Sequence, residues 1–282
     1  MKISVIMVDG GFRENIHSAR YFSLQDFPAH DYEILWVEYY HKPAPALAEY
    51  SKVRAVTLNR TGEYHSSYCF NEGIQLARGE VLVIPDADQI VKPGFLSRIW
   101  QVHSQYDPLA LYVYRYDEEK RNPLKGHAFD ELEEKCVLKN PSNYGGCLSV
   151  RKKWLMQING YEMHPVFASG FHANGLDIYT RLTNLGLAVR WDETLKLFHP
   201  LHPSTYIAAK QYESQKKIIE WRRRNRQYMA ITGIDSAKNF TPPPDLAKLL
   251  EKELKAQKKV KVFNISRKIK AYIKSRIPRN PS

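Results

Sequence analysis

A short apolar run that ends at two carboxylates is the feature that most constrains the fold of this chain. Residues 81–84 read Val-Leu-Val-Ile, and Pro85 leads directly into Asp86, Ala87 and Asp88. Such a run is typical of a buried strand, and in open α/β sheets ligands bind at the carboxyl ends of the strands. Two carboxylates separated by one small residue can face a single hard cation, which takes oxygen ligands and shares them with phosphates. The pattern therefore predicts Mn²⁺ or Mg²⁺ holding a diphosphate at this edge of a sheet.

The Asp-x-Asp tripeptide is a weak signal by itself. A chain with 30 Asp and Glu residues among 282 is expected to contain one by chance about once. Asp is also a common turn former and helix N-cap residue, which is the alternative interpretation of Asp86 and Asp88. The sequence on either side of the tripeptide decides between the two interpretations.

Alternating strand and helix patterns set the fold class. Short apolar runs alternate with longer helical patterns, which indicates βαβ units and a mainly parallel sheet. The highly charged segment 117–139 is predicted to form a mobile loop. We expect an α/β fold with a central, mainly parallel sheet flanked by helices. Strands are predicted at 3–8, 33–37, 53–58, 81–84, 109–116, 147–150, 188–191 and 195–198, and helices at 14–25, 64–77, 94–104, 151–158, 176–185 and 205–228.

The composition limits the class of protein. Hydrophobic residues make up 43% of the chain, which is enough for a core, and no apolar run approaches the ~20 residues of a membrane span. Residues 1–8 are predicted to form a strand and lack the features of a signal peptide. The three cysteines, Cys69, Cys136 and Cys147, are too widely spaced for a disulfide framework or a zinc site. Together these features favour the reducing cytoplasm.

The positive charge is concentrated at the carboxyl end. Residues 245–282 hold 12 of the 42 Lys and Arg residues and 3 of the 30 Asp and Glu residues, a net charge of +9, against +3 for the remainder. Nucleic-acid binding by the whole protein is therefore not expected. Apolar residues alternate with the basic ones in this segment, which favours contact with an anionic membrane surface, and a solvated basic helix is the alternative.

A proline-rich break marks a predicted boundary between the body of the protein and its carboxyl-terminal segment. Residues 241–244 read Thr-Pro-Pro-Pro, which predicts a stiff connection. The predicted divisions are a catalytic body at 1–203, a helical extension at 204–244 and a basic amphipathic tail at 245–282.

The segment around the two carboxylates resembles glycosyltransferase family 2, a large group of nucleotide-sugar-dependent enzymes with the GT-A fold. Residues 71–80 read N-E-G-I-Q-L-A-R-G-E and are followed by the strand and Asp-Ala-Asp, where the family has N-x-G-x-x-x-A-x-G-E, a hydrophobic strand and D-x-D. The resemblance extends over about residues 1–203. It implies that Asp86 and Asp88 bind the metal and the ribose or diphosphate of the donor, for which a UDP-sugar is favoured.

Two further segments take donor-binding roles from the resemblance. Gly145 and Gly146 open a stretch similar to the family's G-G-x-x-x-x-R-K, where glycine lets the backbone approach the donor sugar, although a plain turn is the alternative. Glu38 follows the second predicted strand where the family has an Asp pair, and with Asp9 it is expected near the nucleoside. The adjacent residues 39 and 40 are both Tyr and are expected either to stack on the base or to pack at the surface.

The expected catalytic base departs from the family pattern. Alignment on Arg181 puts Asn174 and Gly175 where the family has an acidic pair, so that Asp177 is the remaining carboxylate and the predicted base of an inverting enzyme. The alternative is that Asp177 pairs with Arg181 one helical turn away. The lost acidic pair also keeps open a retaining transferase, or a non-catalytic GT-A domain that binds a nucleotide sugar or a glycan.

A histidine after the last strand completes the expected metal site. In many GT-A enzymes a His at this position is a metal ligand, and His199 and His202 both qualify here, with His199 preferred and a structural role as the alternative. The signature of processive synthases is not found. The resemblance thus implies a non-processive enzyme of polysaccharide biosynthesis that adds one sugar to a glycan or lipid-linked acceptor, in the cytoplasm or at the inner face of the membrane.

Overall fold

The computed structural model describes residues 1–11, 16–168, 171–202 and 212–258, with the backbone alone at 171 and 172. Short 3₁₀ turns lie at Pro45–Glu49, Pro165–Phe167 and Ser236–Lys238. The strands are β1 (Ile3–Asp9), β2 (Tyr32–Glu38), β3 (Val53–Thr57), β4 (Val81–Pro85), β5 (Leu109–Glu118), β6 (Cys136–Leu138), β7 (Cys147–Arg151) and β8 (Ala188–His199). The helices are α1 (His17–Ser23), α2 (Ser66–Leu76), α3 (Phe95–Gln105), α4 (Phe129–Lys135), α5 (Lys152–Gln157), α6 (Phe171–Leu185), α7 (Tyr212–Arg224) and α8 (244–258).

The strands form one sheet in the order β3-β2-β1-β4-β7-β5-β6, and β8 pairs with β5. The neighbours from β3 to β4 are parallel, as are β5 and β8, whereas β7 is antiparallel to both β4 and β5. Strands β1, β2 and β4 are buried along their whole length, because helices cover both faces of the sheet. The predicted α/β fold with a mainly parallel central sheet is confirmed.

Close backbone contacts explain the fixed residues of the Asn-to-Glu segment before β4. The Asn71 side chain donates to the Tyr161 carbonyl at 2.9 Å and accepts from the Tyr161 amide at 2.7 Å. A Cβ atom at Gly79 would lie 2.3 Å from the backbone nitrogen of Ser4, so that only glycine fits there. The segment therefore joins α2 to β1 and to the chain after α5.

The charged segment 117–139 is more ordered than predicted. It contains the end of β5, helix α4 and strand β6. Leu132 of α4 is buried against Ile90 and Phe198, which attaches this helix to the sheet. The prediction of a mobile loop was wrong. The buried Leu132 and the pairing of β6 with the end of β5 hold this segment in place despite its high charge.

Two predicted short strands are the two halves of β8. The register with β5 runs from Val113 opposite Asp192 directly to Tyr114 opposite Lys196, so residues 193–195 form a bulge. Bulges of this kind bend a strand and change the direction of the side chains that follow.

The first part of the predicted tail packs onto the body. Leu246 and Leu250 of α8 are buried in one apolar cluster with Ile218 of α7. Lys217 and Glu253 form an ion pair at 2.8 Å between the two helices. Residues 244–258 are thus part of the folded body, contrary to the predicted start of the tail at 245, and 259–282 lie outside the described residues. Predicted helix 205–228 corresponds to α7, with 203–211 also outside the description.

Within the described part of the chain, we find no helix with both the length and the apolar character needed to cross a membrane.

Candidate active site

The predicted donor-binding residues meet at the carboxyl edge of the sheet. Asp9 ends β1 and lies opposite Glu38 at the end of the parallel neighbour β2. Asp86 and Asp88 follow β4, which pairs with β1 on its other side. The strand order therefore brings these four carboxylates to one edge, as the alternation of strands and helices predicts.

Asp9 and Glu38 form a buried acidic pair at the β1–β2 end of this edge. Their exposed fractions are 4% and 5%. The Trp36 indole nitrogen donates to Glu38 Oε1 at 2.9 Å, and the Gly10 amide donates to Asp9 Oδ1 at 2.8 Å. Burial, together with the nearby charge of Asp9, raises the pKa of Glu38. Such a pair accepts hydrogen bonds from hydroxyl or N–H groups of a ligand.

The two tyrosines after β2 are held by the loop that precedes α2. Tyr39 is 3% exposed and its hydroxyl donates to the Glu63 carbonyl at 2.9 Å. The Tyr40 hydroxyl donates to the Gly62 carbonyl at 2.8 Å, and its ring is half-buried. The burial of Tyr39 leaves Tyr40 as the better placed of the two for a base.

Three side chains at the β4–β8 end have the composition of a metal site. The imidazole Nε2 atoms of His202 and His199 lie 3.2 and 3.5 Å from Asp88 Oδ2. One ligand atom from each residue lies within 4.8 Å of the other two. A carboxylate with two imidazoles fits a first-row divalent cation such as Mn²⁺ better than Mg²⁺, which prefers oxygen ligands.

Asp86 lies beside Arg115 and is not one of the three side chains of this candidate metal site. Its Oδ2 atom lies 3.4 Å from Arg115 Nη1 and 3.4 Å from Gln89 Nε2. About a third of the Asp86 side chain is exposed, compared with 7% for Asp88. The two carboxylates of the tripeptide therefore differ in environment, with the first one open to a ligand.

The end of β5 contributes two residues that the sequence analysis missed. Asp117 Oδ1 lies 2.9 Å from His199 Nδ1 and 3.1 Å from Arg115 Nε. Burial alone would lower the pKa of His199, but its hydrogen bonds to Asp117 and Asp88 raise it to about 9. Burial likewise opposes ionisation of Asp117, but His199 and Arg115 hold the pKa of this carboxyl below its usual range. The available signal was the position of Asp117 at the end of a predicted strand.

The glycine turn before β7 lies against the acidic tripeptide. The Gly146 carbonyl accepts from the Asp86 amide at 3.1 Å and from Gln89 Nε2 at 3.0 Å. A Cβ atom at Gly175 of α6 would lie 2.6 Å from the Gly145 nitrogen. The glycine at 175, one of the two departures from the family's acidic pair, thus has a steric cause, since no side chain fits there between α6 and this turn.

Asp177 lies in a buried cluster of charges. Arg181 Nε donates to its Oδ2 at 2.8 Å, and Arg222 Nη1 of α7 donates to its Oδ1 at 2.7 Å. Arg222 also pairs with Glu162, and all four side chains are at most 2% exposed. A carboxylate with both oxygens bound to buried guanidinium groups does not fit the predicted base, and the alternative pairing with Arg181 is the arrangement observed.

Comparison with known proteins agrees with this geometry. The sequence model of glycosyl transferase family 2 matches residues 38–158, which run from the last residue of β2 to the end of α5 and include the acidic tripeptide. This stretch of the chain is therefore similar to the family 2 glycosyltransferases. No curated protein sequence matches the chain at a significant level.

Solved structures of glycosyltransferases confirm the GT-A fold of this chain. The S. aureus TarS 1–349 structure in complex with UDP-GlcNAc has a TM-score of 0.58 at 13% identity, over 80% of this chain and 69% of that chain. The Pyrobaculum calidifontis mannosyltransferase PcManGT in complex with GDP-Man and Mn²⁺ has a TM-score of 0.52 at 15% identity, over 90% of this chain and 69% of that one.

Proposed function

We propose that the protein is a metal-dependent, non-processive glycosyltransferase that moves a sugar from a nucleotide diphosphate sugar to a glycan or lipid-linked acceptor. The cluster of Asp88, His199 and His202 carries this proposal, because it lies at the same sheet edge as the acidic pair of Asp9 and Glu38. A nucleoside site and a cation site at one edge suit a donor with a nucleoside at one end and a diphosphate in the middle.

Each end of the edge has a distinct task in this proposal. Asp9 and Glu38 accept hydrogen bonds from the nucleoside, and Asp86 with Arg115 binds the ribose or the diphosphate. Asp88, His199 and His202 would hold a divalent cation, which supplies positive charge to offset the charge of the departing nucleoside diphosphate. The mixed oxygen and nitrogen ligands favour Mn²⁺, and the structure of the mannosyltransferase neighbour is a complex with GDP-Man and Mn²⁺.

A UDP-sugar is the favoured donor. The TarS neighbour binds UDP-GlcNAc and UDP, whereas the mannosyltransferase neighbour binds GDP-Man, so the shared fold admits both bases. The proposal includes Gly145 and Gly146 beside the donor sugar, because the Gly146 carbonyl accepts a hydrogen bond from the Asp86 amide. It leaves out inversion by Asp177, because both oxygens of that carboxylate are bound to buried arginines.

We also propose that the last 24 residues contact an anionic membrane surface, with 1–203 as the catalytic body and 204–258 as its helical extension. Residues 259–282 hold 8 Lys and Arg residues and no acidic residue. Each basic residue near an anionic surface contributes about 1 kcal/mol, so this segment alone suffices for binding. Truncation after residue 258 is expected to abolish sedimentation with phosphatidylserine vesicles, and unchanged sedimentation refutes the membrane role.

The donor site is tested by nucleotide binding. UDP, GDP, CDP and dTDP, each with and without Mn²⁺, are compared by thermal shift in the wild-type protein and in Asp88→Asn. We expect UDP together with Mn²⁺ to raise the melting temperature of the wild type by several degrees. The same mixture should not raise the melting temperature of the variant. Glu133→Gln, which removes a surface ion pair with Lys92, serves as the control and should respond like the wild type. Equal shifts with and without Mn²⁺ would refute metal dependence.

A further inference from the structure

The hydrogen bond between Asp117 and His199 extends the candidate metal site by one layer. We propose that Asp117 is a positioning residue that fixes the ring orientation and tautomer of His199, so that His199 presents Nε2 to the cation. This inference rests on the proposed metal dependence. It also ranks the two histidines, with His199 as the preorganised ligand and His202 as the adaptable one.

The backbone fixes the distance between Asp117 and His199. The two residues are register partners in the parallel strands β5 and β8, and each lies at or next to the end of its strand. The hydrogen bonds between the two strands therefore fix the positions of the two Cα atoms. The side chains are in contact, with 2.9 Å between Asp117 Oδ1 and His199 Nδ1. Because an ionised carboxylate only accepts hydrogen bonds, Nδ1 is the donor.

This bond determines what the opposite ring nitrogen does. With Nδ1 directed at Asp117, Nε2 is the ring nitrogen left to bind a cation, and it lies 3.5 Å from Asp88 Oδ2. A carboxylate that holds the distal nitrogen of a ligating imidazole fixes its tautomer and makes it a stronger ligand. The His199 ring lies between two carboxylates in this way, with Asp88 on its Nε2 side and Asp117 on its Nδ1 side.

Arg115 holds the supporting carboxylate in place. Its Nε lies 3.1 Å from Asp117 Oδ1, and its Nη1 lies 3.4 Å from Asp86 Oδ2. One guanidinium thus contacts both the positioning carboxylate and the first carboxylate of the tripeptide, which reduces their mutual repulsion. The side chains of Asp117 and His199 are 14% and 18% exposed, whereas His202, beyond the end of β8, is 36% exposed.

The competing explanation is an ordinary ion pair that only joins β5 to β8. A purely structural pair would change stability without changing metal affinity once the protein is folded. A double-mutant cycle separates the two explanations, because a residue that acts through His199 has no effect when His199 is absent.

The experiment measures the Mn²⁺ affinity of the 282-residue chain from the EPR signal of free Mn²⁺, with no nucleotide or turnover required. In Asp117→Asn we expect the Kd for Mn²⁺ to rise about 10- to 100-fold, the usual loss for such supporting residues. The same substitution should weaken binding by a similar factor in the His202→Ala background and by less than about twofold in the His199→Ala background. Glu133→Gln, which removes an ion pair between α4 and β8, should leave the Kd unchanged.

Several outcomes overturn the inference. Wild-type affinity in Asp117→Asn, or an equal loss in the His199→Ala background, leaves the metal site standing and refutes the role of Asp117. A wild-type protein that does not bind Mn²⁺, with or without UDP, refutes both this inference and the proposed metal dependence. If Asp117→Asn fails to fold, ¹⁵N NMR of the wild-type histidines with Zn²⁺ decides: protonated Nδ1 and metal-shifted Nε2 on His199 support the proposal, and the reverse pattern refutes it.

Discussion

Replacing Asp177 with Asn distinguishes a catalytic base from a buried ion pair, because the two roles predict effects on different quantities. The substitution keeps the side-chain volume but removes the charge that Arg181 and Arg222 share. Both guanidinium groups are 0% exposed, so neither can turn to water. Glu162 is then the one carboxylate of the cluster facing two buried cations.

The expected loss of stability is large. Breaking a buried ion pair by removing one partner costs about 3–5 kcal/mol, and the remaining amide oxygen of Asn still accepts one hydrogen bond, so we expect a loss of about 3 kcal/mol. Removal of a true general base lowers turnover by about 10²- to 10⁴-fold. If Asp177 is structural, the folded variant should keep its turnover within about threefold of the wild type.

The assay combines urea unfolding with donor turnover measured well below the unfolding midpoint. Glu162→Gln is the matched control, because Glu162 belongs to the same buried cluster and pairs with the same Arg222. Both variants should lose stability by similar amounts and keep similar turnover. A loss of turnover of 100-fold or more in Asp177→Asn, with Glu162→Gln near the wild type, would refute the structural interpretation and restore Asp177 as the base.

Three further predictions concern stability and are measured by urea or thermal unfolding. Gly79→Ala should destabilise the protein by about 2 kcal/mol or more, because its Cβ would lie 2.3 Å from the Ser4 nitrogen; a neutral effect would contradict this close approach. Leu250→Ala should cost about 2–4 kcal/mol if α8 belongs to the body, and less than about 0.5 if it is a loose tail. Burial lowers the pKa of His103 to about 4. As the pH falls below about 6.5, His103 becomes protonated in the unfolded chain but stays neutral in the native state. The free energy of unfolding should therefore fall by up to about 3 kcal/mol from pH 7 to pH 4. The substitution His103→Gln should flatten this pH dependence.

The sheet and its ligand-binding edge were predictable because they follow from local patterns. Apolar runs such as 81–84 are buried on both faces of the sheet and cannot be mistaken for exposed loops. Once four strands are parallel, their carboxyl ends meet at one edge, which brings Asp9, Glu38, Asp86 and Asp88 together whatever the details of the loops. Topology alone supports this part of the site.

The partners of individual charged residues were not predictable in the same way. Arg115 lay in the predicted strand 109–116 and Asp117 opened the predicted charged loop. The partner of Asp117, His199, comes from β8, 82 residues later in the chain, and Arg115 contacts Asp86, 29 residues earlier. The spacing of Asp177 and Arg181 by one helical turn predicted their ion pair, but the second partner of Asp177, Arg222, comes from α7. Burial of a charge is a property of the assembled fold, which a one-dimensional pattern does not contain.

The buried cluster also attaches the helical extension to the rest of the folded chain. Arg222 of α7 is bound to Asp177 of α6, and two residues before Asp177 the backbone of Gly175 lies against the glycine turn at Gly145. The next residue of that turn, Gly146, accepts hydrogen bonds from the Asp86 amide and from Gln89. A continuous series of packed contacts therefore runs from the extension through α6 to the acidic tripeptide. Because this series is closely packed, conservative substitutions in the charge cluster should lower the stability of the whole body while the chemistry at the tripeptide is kept, as the two variants at Asp177 and Glu162 test.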